Sequence, residues 1–140
     1  MRVERADTEE SYEDALRVRY DVFVEEQGVP EDLEVDEHEE SATHFVGYDD
    51  GEPVAAARLR EYVPEVGKVE RVAVRESRRG EGFGAAVMDA VEDAAGESFD
   101  ELYLHAQLHV EDFYADRGYE RDGGEFTEAG IEHVAMRKRL

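Results

Sequence analysis

Three glycines, each separated by one residue, follow a run of arginines in the middle of the chain, and this pattern is typical of an anion site. The segment RGEGFG occupies positions 79–84 and is predicted to join a strand to a helix. Successive backbone N–H groups at such a turn, with the N-terminus of the following helix, can bind phosphate oxygens. Glycine lets a ligand approach the backbone closely and permits positive φ. A glycine turn that binds nothing has the same sequence, and this alternative stays open.

Four arginines, Arg71, Arg75, Arg78 and Arg79, lie just before these glycines in a chain that is otherwise rich in acid. Cations concentrated at one strand–turn–helix junction favour an anionic ligand, although arginines that balance neighbouring carboxylates would look the same. The spacing and the position of the motif exclude a dinucleotide site of the Rossmann kind. The spacing is G-x-G-x-G instead of G-x-G-x-x-G, and the motif follows three predicted strands instead of opening a βαβ unit.

Periodicity predicts the elements that position this loop. Thr8 or Ser11 caps a first helix, which Gly28 and Pro30 end. Its core-facing stripe comprises Tyr12, Ala15, Leu16, Arg19 and Phe23. The acidic segment 31–41 is interpreted as a loop, a short helix or a mobile lid.

Alternation and turn residues predict the strands and the remaining helices. Strands are expected at residues 2–6, 43–49, 53–63, 68–75, 101–108 and 131–139. A helix runs from the glycines through about Ala95, with Phe83, Val87 and Val91 buried, and a short helix ends at Gly118. On the strand 101–108, Tyr103, His105 and Gln107 share one face. The predicted order is β-α-β-β-β-α-β-α-β in a single domain, residues 1–140, with an α/β (mixed α+β) sheet flanked by helices.

At two signatures the sequence resembles the GNAT-type N-acetyltransferases. Arg79-x-x-Gly82-x-Gly84 matches their Q/R-x-x-G-x-G/A pyrophosphate signature, and VERVAV at 69–74 is similar to their central strand. Phe113-Tyr114-x-x-x-Gly118-Tyr119 is similar to their second signature, F-Y-x-x-x-G-F. The resemblance covers nearly the whole chain, and it implies a GNAT-like central sheet that is mixed and mostly antiparallel.

Further segments resemble the ElaA-like branch of that family. These segments are Arg19-x-x-Val22-Phe23-Val24-x-Glu26-Gln27, the acidic stretch through Asp36, His44, His105-Ala106-Gln107, and Gly130-Ile131-x-His133-x-x-Met136. The branch implies that acetyl-CoA is used as acyl donor, but it implies no particular acceptor.

The family resemblance implies where coenzyme A would bind. Its diphosphate would lie on backbone N–H groups of the glycine loop, aided by Arg79; the amides are those of Gly80, Gly82, Phe83, Gly84 and Ala85. The pantetheine arm would pair with the strand Val72-Ala73-Val74 as an added strand. The amide of Val74 or a neighbour would stabilise the oxyanion, and Gln107 would bond a cofactor amide or orient a water.

The resemblance also implies catalytic roles. Tyr114 is the candidate acid that reprotonates the departing thiolate, and Glu70 is the candidate base, acting through a water. His105 is a candidate proton relay, because its reference pKa of ~6.5 suits that work. Each has a structural alternative: a core tyrosine, an exposed strand carboxylate and a satisfied structural histidine. Glu26, Gln27 and His44 are candidate acceptor-pocket residues; the five histidines are scattered, so no metal site is expected.

Charge and composition exclude other classes of function. Asp and Glu number 38 against 16 Lys and Arg, a formal net charge of −22, and such a surface repels nucleic acid. Only Lys68 and Lys138 are lysines, which together with the acid excess favours adaptation to a salty cytoplasm. No apolar run approaches the ~20 residues of a membrane span, the N-terminus lacks a signal-peptide stretch, and cysteine is absent. We therefore expect a cytoplasmic protein, with a homodimer among the open oligomeric states.

The predicted function is transfer of an acetyl group from acetyl-CoA to a primary amine. A non-catalytic module that binds or senses acyl-CoA is the alternative, and a ligand-free acidic interaction protein is a third. Tyr114 and the polar set of Glu70, His105 and Gln107 favour the enzyme, while the arginines and glycines argue against a ligand-free protein.

Overall fold

The computed structural model describes residues 1–140 and has a seven-stranded sheet in the order β1-β2-β3-β4-β5-β7-β6. The strands are β1 (Arg2–Arg5), β2 (Thr43–Asp49), β3 (Glu52–Val63), β4 (Val66–Val74), β5 (Glu101–Gln107), β6 (Glu120–Glu128) and β7 (Ile131–Arg139). The α-helices are α1 (Glu9–Arg19), α2 (Glu31–Glu34), α3 (Phe83–Ala95) and α4 (Glu111–Asp116). Only β4 and β5 pair in parallel, so the predicted mixed, mostly antiparallel sheet is confirmed.

Local sequence signals set the ends of α1 and of the first hairpin. Thr8 is the N-cap of α1: its side chain accepts from the Ser11 amide, and the Ser11 side chain accepts from the Thr8 amide, each at 3.1 Å. The helix continues as a π-helical segment, Tyr20–Glu26, and the chain leaves it through Gly28 at φ 72°. In the turn between β2 and β3, Asp50 and Gly51 have φ values of 51° and 80°, which is the geometry that tight hairpins require.

The predicted stripe of α1 is only partly correct. Ala15 and Arg19 are buried, but Tyr12, Leu16 and Phe23 are only half-buried, and Val18 and Val22 are enclosed instead. The helix turns Val18 toward Val46 and Ala56 of the sheet. This rotation places the half-buried Tyr12 and Phe23 at the edges of the contact between the helix and the sheet.

The edge strand β6 was absent from the predicted order. Of its nine residues only Phe126 is half-buried and the others are exposed, and its middle is Gly123-Gly124 within charged residues. A strand without a buried face shows no alternation of apolar and polar residues, so periodicity does not reveal it. Strand β4 also begins earlier than predicted, at Val66, because Pro64 and Glu65 form a second hairpin turn with Glu65 at φ 70°.

Two helical layers cover the sheet. On one face α3 buries Phe83, Val87 and Val91 as predicted, and these residues pack in one core with Leu102 and Leu104 of β5. On the opposite face α1 packs against β2 and β3. None of the helices is both long enough and apolar enough to cross a membrane.

The two parallel strands separate halfway along their length. β4 pairs with β5 only from Val66↔Glu101 to Val69↔Leu104, and the pairing stops there. Just beyond, Arg71 has φ 56° at a register shift against β3, which is a β-bulge. The β5-facing edge of residues 70–74 therefore has no strand partner, and this opening positions the site.

Candidate active site

A single large cleft of about 1070 Å³ occupies the opening between β4 and β5. Its middle is formed by residues 69–74 of β4 and 104–107 of β5. The glycine loop, Phe113 and Tyr114 line the cleft, and so do Lys68, Glu70, His105, Glu128 and His133. Residues of both predicted sequence signatures therefore line the same cleft.

The amides of the glycine loop have no acceptor within the protein. Residues 80–85 donate no backbone hydrogen bond, and Gly82, the N-cap of α3, receives no side-chain cap. Gly80 and Gly82 have φ values of 81° and 90°, and a Cβ at either would meet no atom within 4 Å. Glycine is required here for its left-handed backbone, not for lack of space. A row of free donors at the start of a 13-residue helix can bind an anion, and residues 80–85 are called the anion cradle below.

All four arginines before the loop pair with carboxylates, and Arg79 is the one that begins the glycine motif. Its guanidinium forms a bidentate pair with Glu26 at 2.6 and 2.7 Å, and its Nε donates to the Val74 carbonyl at 3.1 Å. The other three also bind acids: Arg71 binds Asp36, Arg75 binds Asp21, and Arg78 binds Asp49 and Glu81, the last within the loop itself. Balance with neighbouring carboxylates, the alternative that the sequence left open, therefore accounts for all four arginines, although Arg71, Arg78 and Arg79 also line the cleft.

The β4 edge offers backbone groups to the cleft. The Arg75 amide donates to the Val54 carbonyl of β3 at 2.9 Å. Because successive residues of a strand direct their N–H groups to opposite sides, the Val74 amide points away from β3, toward the opening. Val72, Ala73 and Val74 all line the cleft. An extended ligand with amide groups can add to this edge as a strand would.

Tyr114 lies on α4 and lines the cleft with its side chain almost enclosed. Its ring contacts Phe113 and Tyr119 edge-to-face, with centroids 5.0 and 5.7 Å away, and its hydroxyl has no hydrogen-bond partner in the protein. Burial raises the pKa of the phenol, against a smaller opposing effect of Arg117. The hydroxyl stays protonated at neutral pH, which is the state a proton donor needs.

Glu70 has an environment that does not suit the predicted base. Its side chain is 9% exposed, and its carboxylate accepts from Arg58 and Arg60 at 2.8 Å and lies 3.3 Å from Lys68 Nζ. Burial alone would raise the pKa of Glu70, but Arg58, Arg60 and Lys68 outweigh burial and lower it to about 2. A carboxylate with so low a pKa is a weak proton acceptor, and the contacts of Glu70 are those of an ion-pair residue.

His105 belongs to a polar group that includes residues the sequence analysis missed. Its Nε2 lies 3.0 Å from the Tyr103 hydroxyl, and its Nδ1 lies 3.3 Å from both carboxylate oxygens of Glu128. His133 lies 3.7 Å from Glu128 and lines the same cleft. Glu128 went unnoticed because its strand was not predicted, although a carboxylate just before the Ala129-Gly130 turn was visible in the sequence.

Gln27 and Gln107 meet across the cleft. Gln107 donates to Gln27 at 3.0 Å and Gln27 to Gln107 at 3.4 Å, so both amide groups are occupied by each other. Both side chains line the opening between β4 and β5. Their amides lie where an incoming cofactor amide can exchange for this pair.

His44 does not line the cleft, and its assignment to an acceptor pocket is wrong. It is buried on β2, with Nε2 2.8 Å from the Glu39 carbonyl and its ring edge-to-face on Tyr12. Burial lowers the pKa of His44, against the effect of Glu39. It borders a buried ion network in which Arg19 binds Glu34 and Glu39. Glu26 does line the cleft, but it lies beside the glycine loop, where it pairs with Arg79.

Comparison with known proteins gives the family of the chain. The model of the acetyltransferase (GNAT) domain matches residues 6–140. The chain is 41% identical over 140 residues to the uncharacterized N-acetyltransferase YjcF of Bacillus subtilis strain 168, covering 99% of both. It is 31% identical over 130 residues to protein ElaA of Escherichia coli strain K12, covering 89% of this chain and 85% of ElaA.

Solved structures agree with this assignment. The crystal structure of Escherichia coli ElaA superposes with a TM-score of 0.86 at 25% identity, covering 99% of each chain. An acyl-CoA N-acyltransferase from Pseudomonas aeruginosa superposes with a TM-score of 0.84 at 26% identity, again covering 99% of each chain. The chain belongs to the GNAT acetyltransferase family, in its ElaA-like branch.

The pair between Glu26 and Arg79 leads to a prediction about affinity. Glu26→Gln is expected to tighten coenzyme A binding up to about fivefold, since a partly exposed ion pair is worth about 0.2–1 kcal/mol and its carboxylate competes with the diphosphate. Titration calorimetry at low salt measures the dissociation constant, and the gain should shrink at high salt. Glu25→Gln, an exposed neighbour outside the cleft, is the control. Weaker binding by Glu26→Gln would mean that Glu26 holds Arg79 in place for the ligand.

Proposed function

We propose that this protein transfers an acetyl group from acetyl-CoA to a primary amine, on a small molecule or at an exposed position of a protein, by direct attack. The observation that carries the proposal is the row of unpaired amides at residues 80–85, which opens into the same cleft as Tyr114 and His105. The acyl-CoA named for the Pseudomonas aeruginosa relative supports the choice of donor.

The residues present fit coenzyme A in charge and in shape. Free N–H groups at the start of α3 suit the diphosphate, and the unpaired edge of Val72–Val74 suits the amide-bearing pantetheine arm. Gln107 and Gln27 can exchange their mutual hydrogen bonds for those amides. Acetyl-CoA supplies a thioester acyl group, and the Val74 amide would stabilise negative charge on the oxygen of that group.

Two side chains move the protons. His105 takes a proton from the amine as the amine nitrogen bonds to the acyl carbon, and Tyr114 gives its proton to the thiolate as the carbon–sulfur bond breaks. The products are the acetylated amine and coenzyme A, and both side chains recover their starting state through solvent. Glu70 is left out of this scheme, because its pKa of about 2 makes it a poor base.

Replacement of Tyr114 by phenylalanine tests the scheme. The rate of thiol release from acetyl-CoA, measured with a panel of primary amines, is expected to fall about 100-fold, because general acid catalysis typically contributes that much or more. The affinity for coenzyme A should stay nearly unchanged. Tyr119→Phe is the matched control, since Tyr119 is buried beside Tyr114 but donates to Glu92 and does not line the cleft.

The assays belong in about 1 M salt as well as in dilute buffer. We propose that the net charge of −22 is an adaptation to a salty cytoplasm, where a Debye length of about 3 Å screens self-repulsion. Acetyl-CoA binding without thiol release from any amine would favour the non-catalytic acyl-CoA module. Full activity in Tyr114→Phe would remove Tyr114 from the scheme.

A further inference from the structure

The most informative feature beyond the proposed scheme is the contact between His105 and Glu128. His105 is held on one side by Tyr103 and on the other by Glu128, and its ring contacts the rings of Tyr103 and Phe126 edge-to-face at 5.2 and 4.8 Å. The side chain of His105 is 21% exposed and that of Glu128 is 49% exposed. The pair is therefore fixed in orientation and still open to the cleft.

The partners of the ring determine where its proton lies. An ionised carboxylate accepts hydrogen bonds and cannot donate them. Glu128 therefore requires a proton on Nδ1 of His105, and in the neutral ring the lone pair is then on Nε2. The Tyr103 hydroxyl can donate to that lone pair, and burial raises the pKa of Tyr103, so it keeps its proton. The hydrogen bond from His105 lowers the pKa of Glu128, against burial, so the carboxylate is ionised at neutral pH.

The fold fixes Glu128 in this position. It is the last residue of β6 and pairs with Ile131 across a tight turn in which Ala129 and Gly130 have φ values of 51° and 77°. The other charged and titratable groups that face the pair are Tyr103, His133 and Lys68. Nδ1 of His133 lies 2.7 Å from the Ile131 carbonyl and donates there, so in the neutral ring Nε2, which lies 3.7 Å from Glu128, carries the lone pair and cannot donate to the carboxylate.

We infer that Glu128 is a positioning residue, which holds His105 in the Nδ1–H tautomer so that Nε2 accepts the proton of the acceptor amine. The catalytic part of this inference rests on the proposed function. The assignment of the tautomer depends only on the contacts of His105 and is independent of that function. During transfer the proton moves from the amine nitrogen to Nε2, while the Nδ1–H bond to Glu128 stays intact and the carboxylate stabilises the resulting imidazolium. The Tyr103 hydroxyl lies 3.0 Å from Nε2, so the amine displaces it.

The tautomer is tested without any turnover. In ¹⁵N-labelled protein at a pH where His105 is neutral, the imidazole nitrogen shifts are expected to show Nδ1–H in the wild type. Glu128→Gln is expected to reduce that population, because the amide can present an N–H as well as a C=O. Glu120→Gln, on the same strand and exposed, is the control and should leave the shifts unchanged. The same tautomer population in wild type and Glu128→Gln would overturn the inference.

Kinetics then test the consequence for catalysis. Glu128→Gln is expected to lower kcat about tenfold or more with little change in coenzyme A affinity, and Glu128→Asp should recover part of the loss. The double variant His105→Ala/Glu128→Gln should be no slower than His105→Ala.

Two results distinguish failure of the positioning role from failure of the proposed function. A rise in KM with unchanged kcat, or additive losses in the double variant, would make Glu128 a contact of the acceptor and overturn the positioning role. Wild-type protein that transfers acetyl to no amine would sink the proposed function, while the nitrogen shifts would still decide whether Glu128 sets the tautomer.

Discussion

Arg58→Met is expected to destabilise the fold by about 3–5 kcal/mol, because it leaves buried carboxylates without their cation. Arg58 is completely buried on β3; it donates to Asp36 at 2.8 and 3.1 Å, to Glu39 at 2.9 Å and to Glu70 at 2.8 Å. The guanidinium thus connects Asp36 and Glu39 of the acidic segment to Glu70 of β4, beside the cleft. Chemical denaturation at pH 7 gives the change in free energy of unfolding.

The pH dependence identifies the cause of that loss. Burial opposes ionisation of Asp36 and Glu70, but Arg58 lowers the pKa of both carboxyls, that of Glu70 to about 2 with the help of Arg60 and Lys68. In the wild type these groups therefore contribute stability above an unfolded pKa of about 4, and the contribution is lost as the pH falls toward 2. In Arg58→Met the acids bind protons more readily, so the difference between the two proteins should narrow below about pH 4.

Arg17→Met is the matched control for Arg58. Arg17 also pairs with a carboxylate, Asp14, but its side chain is 66% exposed. Asp14 is buried but keeps the hydrogen bond from Tyr48, and a pair with an exposed arginine contributes about 0–1 kcal/mol, so the variant should retain nearly full stability at every pH. A loss in Arg58→Met as small as in Arg17→Met would mean that the buried network is not needed for stability.

Gly82→Val is expected to weaken coenzyme A binding about 100-fold or more. Gly82 has φ 90° at the N-cap of α3, a conformation that a β-branched residue adopts only under strain. The loop must rearrange, and the amides around it lose their common direction. Hydrogen bonds to charged groups are worth about 1.5–3 kcal/mol each, so the loss of one or two is enough for this effect. Titration calorimetry with coenzyme A measures it.

Gly51→Val separates this effect from simple destabilisation. Gly51 has φ 80° in the hairpin between β2 and β3, and a Cβ there would also meet no atom within 4 Å. Both variants therefore strain the backbone in the same way and should lose similar stability. Only Gly82→Val should lose the ligand; equal coenzyme A affinity in the two variants would contradict the role given to the loop.

The anion cradle was predictable because it depends on local sequence. Alternating glycines before a helix specify positive φ at Gly80 and Gly82 and leave the first amides of α3 free, whatever the rest of the chain does. The same holds for the capping residue Thr8 and for the hairpin at Asp50-Gly51. These predictions required no knowledge of which strands pair.

The roles that depend on tertiary partners could not be predicted in this way. Glu70 looked like a catalytic base on its strand, but the pairing of β3 with β4 places Arg58 opposite it, and Arg60 and Lys68 complete the ion cluster. From the sequence His44 was predicted to line the acceptor pocket, but in the structure α1 and the acidic segment bury it. Glu128 depends on an edge strand whose exposed residues carry no periodic signal.

The central claim is that the amides of residues 80–85 bind the diphosphate of coenzyme A, and amide NMR tests it most directly. In a titration of ¹⁵N-labelled protein with coenzyme A, the N–H resonances of these residues should move downfield as they form hydrogen bonds to phosphate oxygens. Pantetheine, which has no diphosphate, should leave them in place. Saturation with coenzyme A that shifts resonances elsewhere and leaves these six unchanged would contradict the account.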